Sequence, residues 1–330
     1  MPHRPALVLA PMEGVMDAPM RALLTERGGL SFCVSEFLRV SQELLPPKVF
    51  YRHVPEISNS WRTPSQVPVQ LQLLGSDEEK MGLHAERAVQ LGAQAIDINF
   101  GCPAPTVNRH EGGASLLRYP DRIRSVVRAV RQAVPLHIPV SAKLRLGWEV
   151  RSDIFHNAEQ AVLGGASWLT IHARTKKQGY APPVDWKTIG VLKKQLDIPI
   201  VANGDIWSLD DFKRCRDETT CEHFMIGRGA LAFPQLAQEI GRELRLQTSH
   251  SPTQFGQDPQ KWLPLLRRFA EISEPLSTDS DYTLCRIKQW IKYAGIKNRL
   301  PWFDLIKRAQ TLNEVFSTLQ STHFIPAESA

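Results

Sequence analysis

Eight short apolar runs, separated from one another by amphipathic stretches, restrict the fold of this chain more than any other feature. They occupy residues 6–11, 31–37, 67–74, 95–100, 140–146, 168–174, 198–206 and 223–231. Helix-like segments such as 78–91, 120–134, 154–164 and 186–196 lie between them. A near-continuous apolar strand belongs in a sheet covered on both faces, and parallel strands joined by crossover helices produce that sheet. Eight such units predict an α/β fold of the (β/α)8 TIM-barrel type in preference to an open doubly wound sheet.

The alternation ends near residue 246. Residues 247–260, QTSHSPTQFGQDPQ, are polar and hold two prolines without an apolar period, which is how a linker reads. Only helical patterns follow, at 261–273, 282–294, 302–309 and 312–319, and they predict a small all-helical bundle. Residues 322–330 read as a frayed end. The expected division is a barrel over 1–246, a linker over 247–260 and a helical domain over 261–330. Charge gathers in the last part. Between residues 286 and 308 seven lysines and arginines stand against Asp304 alone, in a chain whose net formal charge is +6. Such a block is either a solvated face or a grip on a phosphate backbone. Ile287, Trp290, Ile291 and Ala294 would hold the opposite side of that helix against the bundle.

Composition removes several classes. With 42% apolar and 22% charged residues the chain is globular rather than disordered. No apolar stretch reaches the roughly 18 residues that span a bilayer. Glu13 ends the first apolar run before it resembles a secretory signal, so a cytoplasmic protein without membrane contact is expected, and a monomer. Five cysteines without a CxxC pair point away from a disulfide framework and a structural zinc site, and no metal is expected.

In such a barrel the chemistry collects where strands run into βα loops. The first strand leads into Pro11-Met12-Glu13, and the third carries Gln72. The fourth ends in Asp97-Ile98-Asn99-Phe100-Gly101-Cys102-Pro103, and the fifth holds Lys143 and Arg145. The sixth ends in His172-Ala173-Arg174, the seventh in Asn203-Gly204-Asp205. After the eighth, Gly227 and Gly229 flank Arg228 before a helix, which suits the usual barrel phosphate site. A GxGxxG fingerprint is absent, so a monophosphate-bearing cofactor fits better than a dinucleotide; the plainer reading is two glycine turns.

Lys143 sits on an otherwise apolar strand, where its charge needs an anion. Reduced flavin or a core carboxylate such as Asp97 answers that need, and a Schiff base with a carbonyl substrate removes it. Gln72 suits a flavin's pyrimidine edge, or is satisfied by backbone. Cys33, Cys215, Cys221 and Cys285 read as small buried hydrophobes. Cys102 differs, because Gly101 and Pro103 present it on a turn. A thiol with an ordinary pKa of about 8.5 is mostly protonated at neutral pH and is available as a general acid.

Together, APMEGVMD (10–17), QLQLLG (70–75), DINFGCP (97–103), SAKLRLGW (141–148), IHARTKKQGY (171–180), ANGDI (202–206) and MIGRGAL (225–231) resemble the tRNA-dihydrouridine synthases, in the right order over the whole barrel. EFLRV (36–40), TKKQGY and RIKQW (286–290) are more similar to the bacterial C subgroup, which acts on the D-loop uridine at position 16. The resemblance implies an FMN barrel with a helical tRNA-recognition domain, and NADPH as reductant. It assigns flavin contacts to Pro11, Met12, Glu13, Gln72, Lys143, His172, Asn203, Gly204, Asp205, Gly227 and Arg228. It makes Cys102 the proton donor: hydride passes from flavin N5 to uracil C6, and the proton goes to C5 from the other side of the ring. It gives tRNA contacts to Arg39, Asn99, Tyr180, Arg286, Lys288 and Tyr293. The rival readings are an FMN barrel acting on a free pyrimidine such as dihydroorotate, an aldolase using Lys143, and a non-catalytic RNA-binding module. The first would have no use for residues 261–320.

Overall fold

The computed structural model describes residues 5–40, 42–109, 111–248, 253–276, 281–298 and 300–322. Eight strands, β1 (Ala6–Leu9), β2 (Phe32–Arg39), β3 (Val69–Leu74), β4 (Ile96–Phe100), β5 (Val140–Arg145), β6 (Trp168–His172), β7 (Ile200–Asn203) and β8 (His223–Ile226), close into a barrel in sequence order. Every neighbouring pair is parallel, and β8 pairs back to β1. This is the expected (β/α)8 architecture. β1, β5, β6, β7 and β8 stop short of the apolar runs at their C-terminal ends, β3 and β4 end with theirs, and β2 continues two residues past its own. After β7, Gly204 (φ 122°) and Asp205 (φ 51°) leave extended geometry, so the last residues of that run belong to the loop.

The strands depart from the expected all-apolar character in one respect. β3, β4 and β5 alternate, because the side chains they turn into the barrel are polar along most of their length. Gln70 of β3 bonds Ser141 of β5 at 2.9 Å, and Lys143 of β5 bonds Asn203 of β7 at 3.1 Å. Each bond skips the strand between, so these side chains point inward. Their neighbours Ile96, Ile98, Phe100, Val140, Ala142 and Leu144, all fully buried, pack outward under the crossover helices. From the other five strands Val8, Val34, Trp168, Val201 and Met225 fill the rest of the interior, Val34 level with Gln70 and Trp168 with Ser141.

The described part of the presumed linker is packed rather than loose. Phe255 is buried beneath the Arg27 guanidinium (4.9 Å) and against Trp262, and Gln254 bonds Gln235 and Glu239. Helices Pro259–Ser273, Tyr282–Asn298, Phe303–Ile306 and Leu312–Ser321 follow. Their centre is aromatic: the Trp262 ring lies 5.9 Å from Trp290 and 6.1 Å from Trp302. Ile287, Trp290, Ile291 and Ala294 are fully buried, and they face the barrel as well as the bundle, since Trp290 Nε1 donates to Leu231 O at 3.0 Å. Arg268 pairs with Glu26 at 2.7 Å and Asn298 donates to Ala232 O. The helical part therefore sits over the elements that follow β8 and β1. Residues 323–330 of the presumed frayed end, and Arg299 of the basic block, lie outside the described residues. Among the described residues no helix is long and apolar enough to cross a membrane.

Candidate active site

A cavity of about 640 Å³ opens at the C-terminal ends of the strands. Parallel register builds it. Asn99 of β4 lies beside Lys143 of β5, Arg145 of β5 beside His172 of β6, and His172 beside Asn203 of β7. Polar groups separated by up to about a hundred positions in sequence thus form one row at the rim of the barrel interior. Pro11, Met12, Glu13, Gln72, Asn99, Cys102, Lys143, His172, Tyr180, Asn203, Gly204, Asp205, Gly227, Arg228 and Tyr293 all line the cavity.

Cys102 owes its position to a chain of hydrogen bonds through the interior. Asn99 Oδ1 accepts from Gly101 N at 3.0 Å and Cys102 N at 2.8 Å, which folds the turn over the strand end. Asn99 Nδ2 donates to Gln72 Oε1 (2.7 Å), Gln72 Nε2 donates to Asp97 Oδ2 (2.6 Å), and Ser141 Oγ donates to Asp97 Oδ1 (2.5 Å). Burial pushes the Asp97 carboxyl up, against the opposing pull of Ser141, Gln72 and Lys143. Gln72 is thus satisfied, though by side chains rather than backbone, and Asn99 is a turn-holder beside the cavity. From the far side Arg145 Nε donates to Gly101 O at 2.8 Å, while its Nη1 donates to Gly179 O (2.8 Å) and Thr175 O (3.1 Å). Burial pushes the Cys102 thiol up, so it is the protonated group at neutral pH.

The rest of the cavity is cationic. Burial, with Arg145 nearby, lowers Lys143 to about 8, and its ammonium donates to Asn203 Oδ1 rather than to Asp97. His172 is driven well below its ordinary value, first by burial and then by Arg145, Lys143, Arg174 and Arg228, so its ring is neutral at pH 7. Its Nδ1 is buried with no hydrogen-bond partner among the described residues. Asp205 bridges Arg174, which is fully buried, and Arg228, whose Nη2 lies 2.7 Å away. Burial alone would raise the Asp205 carboxyl, but the bonds and charge of Arg174 and the charge of Arg228 hold it below the usual range. Three cations, Lys143, Arg145 and Arg228, line the cavity against Asp205 and Glu13, with the unpartnered nitrogen of His172 buried among them, and they make a receptor for an anionic polar ligand.

The two glycines flanking Arg228 have a plainer reason than ligand approach. A Cβ on Gly229 would meet Ile206 O at 2.2 Å, and one on Gly227 would meet Met12 Sδ at 3.0 Å. Both let protein pack against protein, although both still border the cavity.

Three expected nucleic-acid contacts stand apart from the cavity. Arg39 is exposed at the end of β2. Lys288 donates to Ala309 O, which ties its helix to the loop between the last two helices of the bundle. Arg286 is buried and donates to Asp17 Oδ2 at 2.6 Å and to the carbonyls of Gly14 (3.0 Å) and Val15 (2.5 Å). Its guanidinium is consumed within the chain, so the basic block is not a single solvated face. Cys285, expected buried, is exposed, whereas Cys33, Cys215 and Cys221 are buried. Tyr180, 55% exposed at the mouth, has its ring near the guanidinium groups of Arg228 (4.4 Å) and Arg145 (5.4 Å).

The sequence places Arg145 beside Lys143 at a strand end without assigning it a role, and it gives no sign of Trp207. Arg145 is two residues past Lys143 on the same strand, so the period of two already placed it on the inner face. Trp207 lines the cavity with the Arg228 and Lys297 cations at 4.9 and 5.3 Å from its ring, and no sequence pattern announces that.

Comparison with known proteins gives a consistent result. The family model described as dihydrouridine synthase matches residues 8–324. A tRNA-dihydrouridine(16) synthase of Shewanella oneidensis is 43% identical over 95% of this chain and 97% of its own. Namesakes from Neisseria meningitidis serogroup B and Escherichia coli K12 are 40% and 41% identical, covering 95% and 87% of this chain and 93% and 88% of theirs. Among solved structures, an old yellow enzyme homologue from Zymomonas mobilis superposes with a TM-score of 0.50 at 14% identity over 78% of this chain and 94% of that one. A 2-naphthoyl-CoA reductase gives 0.54 at 13% over 72% of this chain and 50% of that one. These two show a shared fold.

Proposed function

The chain belongs to the dihydrouridine synthase family, and on that premise we propose that it reduces the C5–C6 double bond of a D-loop uridine in tRNA, at position 16, to 5,6-dihydrouridine. It is an oxidoreductase acting on a CH–CH bond, with FMN as its flavin and NADPH as the reductant. The proposed division of labour is a catalytic barrel over 1–246, a connecting segment over 247–260 and a tRNA-recognition domain over 261–330.

The cavity suits a flavin mononucleotide by its own chemistry. Arg228, steadied by Asp205, fits the phosphate, with Asn203, Gly204 and Gly227 beside it. Lys143 and His172 offer polar contacts to the ring system, and Gln72 closes its far edge. Pro11, Met12 and Glu13 form the wall from the first loop. Bound and reduced, the flavin supplies the hydride that enters uracil at C6. What the chain itself contributes is the proton. Cys102, held protonated by burial on the turn that Asn99 and Arg145 fix, is the acid for C5.

The nucleobase has to be splayed out of the folded RNA to reach this cavity. Tyr180 at the mouth is placed to brace it, and Tyr293 brings the helical domain to the same rim. Arg39 and Lys288 are proposed to act on the RNA outside the cavity; Arg286 serves instead the contact between domains. The observation that carries the reading is the convergence on one cavity of a protonated thiol, a cationic receptor and a residue of the helical domain.

The test is to map dihydrouridine in tRNA from cells lacking this gene and cells regaining it. Loss and return of the modification at position 16 alone is expected. Unchanged tRNA, with the purified protein reducing or oxidising a free pyrimidine, would replace this reading by its closest rival.

A further inference from the structure

A second group of cations lies on the barrel rim, and the proposed chemistry uses none of it. Arg118 ends the 3-10 turn Gly113–Arg118 that follows β4, Trp148 follows β5, and Lys176 follows β6. The Arg118 guanidinium stands 4.4 Å from the centre of the Trp148 ring and the Lys176 ammonium 4.2 Å from it. One partly buried indole thus collects cations from two separate loops and fixes their spacing. Tyr119, 43% exposed, adds a second ring next to Arg118. Backbone bonds lock the loops together: Lys176 N donates to Gly147 O and Lys177 N to Trp148 O, each at 2.8 Å. Neighbouring Arg122, Lys177 and Arg151 pair with Glu111, Glu149 and Asp185. Arg118 and Lys176 have no carboxylate partner among the described residues.

The place of this ridge matters as much as its charge. In a closed ring of eight strands β5 lies diametrically opposite β1, and the helical domain is docked over β8 and β1. The ridge therefore faces that domain across the cavity mouth, on the same end of the barrel. A folded RNA that sends one nucleotide into the mouth and rests on the helical domain must lay the rest of its backbone over the opposite rim. Arg145 makes the ridge continuous with the cavity, because its Nη1 donates to Thr175 O, one residue before Lys176.

We propose that Arg118 and Lys176, seated on Trp148, form a second contact for the tRNA sugar–phosphate backbone, opposite the helical domain; the inference rests on the tRNA reading above. Two preorganised cations without acidic partners, beside an exposed aromatic ring, are the chemistry that holds phosphodiesters and unstacked bases.

The experiment compares the holoenzyme with its Arg118→Ala/Lys176→Ala form, using an unmodified tRNA transcript. The double variant is expected to bind the transcript about tenfold more weakly, with a plot of log K against log salt shallower by about 1 to 2. Turnover should suffer through KM rather than kcat. The single Lys176→Gln is read in the same way if the double variant does not fold, with a smaller loss. Affinity and salt slope equal to those of the unsubstituted protein would overturn the proposal, as would an undiminished KM. If the unsubstituted holoenzyme neither binds nor reduces tRNA, it is the functional reading itself that fails.

Discussion

Arg286 Nε lies 2.6 Å from Asp17 Oδ2, and through this pair the helical domain grips the loop between β1 and the helix Ala18–Glu26. Asp17 serves three partners at once. Its Oδ1 caps that helix through Met20 N at 3.1 Å, and its Oδ2 also accepts from Tyr282 Oη at 2.6 Å. Arg286 fixes the carbonyls of Gly14 and Val15 in the same loop, while Glu13 and Val15 line the cavity. One wall of the proposed active site is therefore set by a side chain of the other domain.

Removing the clamp should be costly. Arg286→Ala leaves the Asp17 carboxylate in a mostly buried place without its cation, and a loss of about 3 kcal/mol is expected in urea unfolding. Arg286→Lys should recover only part of it, because an ammonium does not reproduce the fork that reaches Asp17 and two carbonyls. Equal stability of the unsubstituted and alanine forms would show that the pair holds nothing.

Cys102→Ala should leave reduction of the bound flavin by NADPH intact and slow the reduction of tRNA by about 10² to 10⁴, the usual contribution of a positioned acid. The acid must carry its proton, so activity should fall as pH rises through the thiol's value, which burial has pushed above the ordinary one. Single-turnover rates against pH read both effects, and an alkaline limb that persists in Cys102→Ala assigns it to another group.

Lys143 gives a stability signature in the apoprotein. Its folded value of about 8 lies below its ordinary value near 10.5, so the folded state loses its proton first as pH rises. The penalty for burying the charge is fully present below pH 8 and is relieved as pH climbs from about 8 toward 10.5. Lys143→Met removes the penalty at every pH. The variant should be the more stable form at pH 7, with the difference shrinking over that window. Parallel urea-midpoint curves for the two proteins would refute this.

Asp205→Asn should destabilise the protein by about 3 kcal/mol, because it leaves the fully buried Arg174 guanidinium without its carboxylate, while the Arg228 pair, 21% exposed on each side, adds little. It should also weaken flavin retention, because Arg228 loses the anion that aims it. The carboxyl is held below its unfolded value, so its contribution is present above about pH 3.9 and is lost as pH falls through the lower folded value. Acid titration of stability, with flavin release followed by fluorescence, checks both.

Much of the fold was legible because the periods are local. Eight apolar runs and the helices between them need only sequence distance two or four to be seen, and the polar residues that line the cavity stand at the ends of those runs. The order of the motifs along the chain was equally plain. What could not be read is where a long side chain goes once neighbours from elsewhere arrive. Arg286 and Lys288 look alike as members of one basic helix, yet one is buried against Asp17, 269 positions away, and the other ties the bundle together.

The chain by itself determined the barrel, the helical appendage and the residue types at each strand end, since hydrophobic period and turn chemistry act between near neighbours. Only the closed barrel decided which of those residues share a cavity, because parallel register sets Asn99 against Lys143 and Arg145 against His172. Domain docking alone turned a surface-looking arginine into a buried clamp. Burial and charge at the cavity depend on every element that packs there, and no stretch of sequence contains them all.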